Sequence, residues 1–155
     1  MVANRVRRPK APKRLPPSTL VRRVEAAQAI HDRVKGRAYK PATMDCGKMV
    51  GLHLRKLGHK VELPKVGDYK TPAGALKWLK KRGFDSLEAR LDALLPNISP
   101  ASALVGDVLA LESTDALAAL VIYMGQGQYL GFHEDSDAAV LMKPTAFGKA
   151  WSVLP

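Results

Sequence analysis

The sequence predicts an α+β domain, helices first and a small antiparallel sheet after, on three observations. Apolar residues recur at helical spacing in four successive segments up to Leu95. After Gly106 the pattern changes to short β-rich runs separated by glycine and acidic turns. The chain of 155 residues is long enough for one core and too short for two ordinary domains.

Residues 1–17 read as an extended arm and 18–155 as the domain. The arm holds Arg5, Arg7, Arg8, Lys10, Lys13 and Arg14 with Pro9, Pro12, Pro16 and Pro17, and has little to bury. Ser18 caps the first helix, whose stripe runs Leu20, Val24, Ala27, Ile30 and Val34 to Gly36. Thr43 or Asp45 caps the second, which starts at Cys46, buries Met49, Val50, His53, Leu54 and Leu57, and stops at Gly58. An irregular connector leads to Thr71-Pro72, a cap followed by proline, and a third helix buries Ala75, Leu76, Trp78 and Leu79. Lys77, Lys80, Lys81 and Arg82 end it before Gly83, where cations suit the helix dipole. Asp85 and Glu88 have capping-box spacing for a fourth helix with Leu87, Leu91, Leu94 and Leu95 inside, ended by Pro96.

Strands are expected at 107–111, 117–124, 128–132 and 139–142, with turns at 125–127 and 134–137. A short helical turn is expected at 144–149 and a closing strand at 151–153.

Composition narrows the function classes. One cysteine excludes an internal disulfide and a multi-cysteine zinc site, and no histidine pair has ligand spacing, so neither metal nor cofactor is expected. The longest strongly apolar run, 116–124, is far short of a membrane span, and no apolar leader follows the basic start. Residues 1–40 carry twelve Lys/Arg against Glu25 and Asp32, a net of +10 of the chain's +11. Such an arm suits an acidic protein groove, an anionic surface or nucleic acid, or serves solubility alone. Without aromatic interleaving or a recognisable module, nucleic acid is the weaker partner.

Cys46 in the first turn of a helix is the one candidate nucleophile, since the positive end of the dipole favours a thiolate; the alternative is a small buried hydrophobe. Asp45-Cys46-Gly47, Val105-Gly106-Asp107-Val108 and Val121-Ile122-Tyr123-Met124-Gly125 follow one another in an order that resembles the NlpC-type papain-like cysteine peptidases. Tyr69 to Leu76, Gly83 to Leu87 and Ala150 to Val153 extend the resemblance to short phage and prophage tail-associated relatives, over about residues 18–154.

The resemblance implies a papain-like (NlpC-like) fold. It also implies a place in the virion at the tail tip, assembly in the host cytoplasm, and other tail proteins as partners. The alternative it implies is a peptidase or amidase cleaving peptidoglycan stem peptides during genome entry. In the NlpC family a histidine serves as base and a polar residue on the next strand orients it; those places hold Ala119 and Gly131. His133, two residues on and so on the same strand face as Gly131, is the substitute base. His53 lies about 10 Å along the helix from Cys46, His31 is on the preceding helix, and His59, past Gly58, is expected at the surface. General-base help is worth about 3–5 kcal/mol and a helix dipole about 0.3–1 kcal/mol. The expectation is a scaffold that has lost its chemistry.

Overall fold

The structure, a computed structural model, describes residues 18–113, 117–132 and 137–154. The proposed arm, with its six basic residues, and His133 lie outside those residues.

Four helices form where the caps direct. α1 spans Thr19–Val34 behind Ser18, α2 Cys46–Lys56 behind Asp45, α3 Pro72–Lys81 behind Thr71 and α4 Leu87–Leu94 behind Ser86. Each cap side chain accepts from an amide of the first turn. The fourth cap corrects the expected Asp85: Ser86 has extended backbone and accepts from Ala89 at 3.0 Å.

The sheet is antiparallel, in the order β1 (Asn97–Ile98), β6 (Phe147–Trp151), β2 (Val108–Leu111), β3 (Leu120–Gly125), β4 (Gln128–Phe132), β5 (Ala139–Met142). The helical turn expected at 144–149 is not there: 147–151 pairs with β2, opposite Val108–Leu111. Pro144 suggested a helix start, and a long-range ladder overrides it. β1 and a short 3-10 turn at Pro100–Ser102 were not expected.

Two side-chain layers result. Leu120, Ile122 and Leu130 join α1, α2 and α4 in the main core, against which Cys46 packs. Leu109, Val121 and Ala150 are buried on the opposite face, under Tyr123, Tyr129, Met142 and Phe147. The rings of Tyr129 and Phe147 lie 4.8 Å apart although β2 and β3 separate their strands. Three strand spacings on a flat sheet would be about 14 Å, so the sheet curls around this second layer.

α1 departs from its expected stripe. Leu20 and Val24 are exposed, at 56% and 48%, while Arg23 is buried. Asp107 explains the reversal: Arg23 Nη1 pairs with its carboxylate, and Nη2 donates to Leu154 O (2.7 Å) and Ser152 Oγ (3.0 Å). Asp107 also accepts from the amides of Leu104 (2.8 Å) and Val153 (3.0 Å). Gly106, at φ +90°, lets α1 approach; a Cβ there would stand 3.3 Å from the Arg23 carbonyl. The Gly-Asp motif thus locks α1 and the residues that follow β6 to the sheet. Among the described residues no helix is long and apolar enough to cross a membrane.

Candidate functional site

α2 aims its first turn at the start of β3, and the connector 59–71 with α3 and α4 forms the facing walls. Between them lies a cleft of about 490 Å³. Cys46 and Asp45 stand at its floor, Tyr39, Tyr69 and Trp78 supply aromatic walls, and Arg90 reaches in from α4. Pro41, Pro64 and Pro72 stiffen the segments that bound it.

Asp45 organises the floor. Its Oδ1 accepts from the Lys48 amide (2.8 Å), and its Oδ2 accepts from the Ala42 amide (3.0 Å) and the Tyr69 hydroxyl (2.5 Å). Lys48 Nζ ties the Ala42 and Pro64 carbonyls together at 3.1 and 2.7 Å. Burial, with the hydrogen bond to the Asp45 carboxylate, pushes the Tyr69 phenol far above its ordinary range, so it stays protonated and donates.

Cys46 is half-buried, and its surroundings reverse the expected activation. Burial is the largest influence and pushes the thiol up to about 11; the Leu120 amide opposes it, and the Asp45 charge adds to it. The cap that starts the helix therefore places a carboxylate beside the sulfur, against the dipole's preference for a thiolate.

Ala119, at the expected base position, adjoins Leu120, whose amide reaches that sulfur, and offers a methyl group. Gly131 faces the other layer: a Cβ there would lie 2.8 Å from Val121 Cγ1 and 3.3 Å from Met142 Cε. That layer lies across the sheet from Cys46, so the structure turns the expected orienting position away from the sulfur. His133 itself, with its expected role, lies outside the described residues.

Among those residues no histidine lines the cleft. His53 is buried near the far end of α2, its Nε2 donating to Gly106 O at 2.8 Å; burial lowers its pKa and keeps it neutral. His31 sits against Asp32 at 3.2 Å. His59 corrects the expected surface position: it is half-buried and donates to Val153 O at 2.7 Å, fastening the last residues. Among the described residues no group of three or more His, Cys, Asp or Glu is placed to hold a metal.

The basic end of α3 is partly structural. Arg82 stacks on Trp78, 3.6 Å from the ring centroid, and pairs with Glu62 at 2.8 and 2.9 Å, while Lys77, Lys80 and Lys81 are exposed. Sequence reasoning passed over Tyr39, Arg90 and the Tyr69–Asp45 bond. The one available signal was that Tyr69 and Asp45 both fall within motifs of the resemblance.

A family model described as a domain of unknown function, DUF6950, matches residues 21–153. The chain belongs to the DUF6950 family. No curated protein matches the sequence significantly. Among solved structures, NlpC2 from Trichomonas vaginalis aligns over 84% of the chain at 14% identity, with a TM-score of 0.57. The DUF6950 chain spans 46% of that structure's length. The fold of the DUF6950 chain is NlpC-like: among the described residues, four α-helices pack on a six-stranded antiparallel sheet, with the cysteine opening a helix.

Proposed function

We propose that this DUF6950 protein is a non-hydrolytic docking subunit of a phage tail tip, built on an NlpC-like fold. The observation that carries the reading is the state of the thiol. A cysteine held near pKa 11 is overwhelmingly neutral at physiological pH, and a neutral thiol is a poor nucleophile. A further feature supports it: a methyl stands at the position where the resemblance places the base. What persists is a preformed cleft with aromatic and proline walls, a surface suited to holding an extended chain.

The tail-tip assignment rests on the resemblance to short phage and prophage tail proteins, and the basic residues 1–17 suit contact with a neighbouring subunit. Particles assembled with and without residues 1–17 test that assignment: loss of the protein from purified tails is expected. Normal incorporation of the truncated chain overturns the role of the arm.

Purified protein incubated with peptidoglycan stem peptides tests the absence of hydrolysis; unchanged peptides are expected. Cleavage abolished by both Cys46→Ala and His133→Ala would instead establish a cysteine peptidase.

A further inference from the structure

Among the described residues Arg90 is the one cation lining the cleft, and none of their carboxylates forms an ion pair with it. Its Nη2 donates to the main-chain carbonyl of Glu62, while the Glu62 carboxylate is held by Arg82 through two hydrogen bonds. Both guanidinium groups attend Trp78, Arg82 at 3.6 Å and Arg90 at 5.1 Å from the ring centroid. The two arginines thus share one indole and one glutamate, and Arg82 takes the glutamate's charge. Among the described residues Arg90 makes no ion pair. Its burial outweighs the nearby Glu62 charge and lowers its pKa.

A half-buried guanidinium beside apolar walls has lost part of its hydration, and the nearby Glu62 carboxylate is hydrogen-bonded to Arg82 instead. Its planar fork matches a carboxylate, and such a pair is stronger when water is excluded. The Asp45 carboxylate at the floor is already taken by two amides and the Tyr69 hydroxyl, and Tyr39, Leu76, Leu79 and Leu87 suit apolar side chains. We propose that the cleft holds an extended apolar segment of a partner protein, with an acidic side chain of that segment seated on Arg90. The chain's own residues 1–17 are a poor occupant, because they carry six Lys/Arg and no acid and would set like charges against Arg90.

This inference rests on the docking reading and names the chemistry of what docks. The probes are dansyl-Leu-Leu-Glu amide and its isosteric partner dansyl-Leu-Leu-Gln amide, titrated by fluorescence against the full chain. The acidic probe is expected to bind at least about tenfold more tightly, the equivalent of about 1.4 kcal/mol for one charge-assisted contact. Arg90→Gln should abolish that preference while retaining the weaker binding of the amide probe. Leu76→Glu, a change at the partly exposed cleft wall, should weaken both probes, and circular dichroism checks that each variant is folded. Equal affinity for the two probes, a preference unchanged in Arg90→Gln, or no binding of either probe overturns the inference. Cleavage of stem peptides would overturn the non-hydrolytic reading instead, and is scored separately.

Discussion

Replacing Gly131 by alanine probes the second layer, on the sheet face opposite Cys46, at a point where the packing is tight. The backbone there lies in β4 and is not among the positive-φ positions, so the cost is one of space. The new Cβ would come within 2.8 Å of Val121 Cγ1 and 3.3 Å of Met142 Cε. The methionine can swing aside, but Val121 is β-branched, 1% exposed and held in a strand, so it cannot turn without opening the second layer. Overpacking of this kind costs about 1–3 kcal/mol, and the lower entropy of the unfolded alanine chain offsets about 0.4–1 of it. A net loss near 1–2 kcal/mol is expected, a drop of about 2–8 °C in Tm for a domain of this size.

Val121→Ala alone should cost about 2 kcal/mol through lost burial. The double variant should then be more stable than the sum of the two, by about 1 kcal/mol or more, because the smaller residue makes the room the alanine needs. Urea unfolding of the four proteins in the cycle measures this. A neutral Gly131→Ala, or strict additivity with Val121→Ala, would show that position 131 has free space and would refute the claim that Val121 fills the room beside it.

Two further outcomes follow from the buried polar groups at the other end of α2. Arg23→Met leaves Asp107 buried without its partner and should cost about 3–5 kcal/mol by urea denaturation, whereas an exposed arginine would cost almost nothing. His53 has its pKa lowered by burial, so the unfolded chain binds a proton that the folded chain refuses. Its contribution is complete above about pH 6.5 and is lost as pH falls toward the depressed folded value. A pH series of unfolding curves should show that loss, and His53→Gln, which keeps a donor for the Gly106 carbonyl, should flatten it.

Local chemistry made much of this fold legible. Ser18, Asp45 and Thr71 are short polar residues just ahead of apolar periodicity, and each became the cap it resembled. The failures were long-range. Arg23 displaced Leu20 and Val24 from the buried face because its partner, Asp107, is 84 residues away. β6 formed where a helical turn was expected because β2 supplied its ladder. At the site, Cys46 and its cap could be placed from spacing alone, but the sign of the thiol's shift could not. That sign depends on what surrounds the sulfur after folding, Asp45 and the β3 amide included. The cleft wall draws on residues from 39 to 117, and no periodicity marks them.

The central claim concerns one sulfur, and the rate of Cys46 alkylation by iodoacetamide against pH, followed by intact mass on the folded full-length chain, tests it directly. With the thiol near 11, about one molecule in 10⁴ is ionised at pH 7, against about one in 30 for an unperturbed cysteine. The rate should therefore climb without levelling up to pH 10. A plateau reached below about pH 8, or one that disappears in His133→Ala, would mean that the thiol is activated after all.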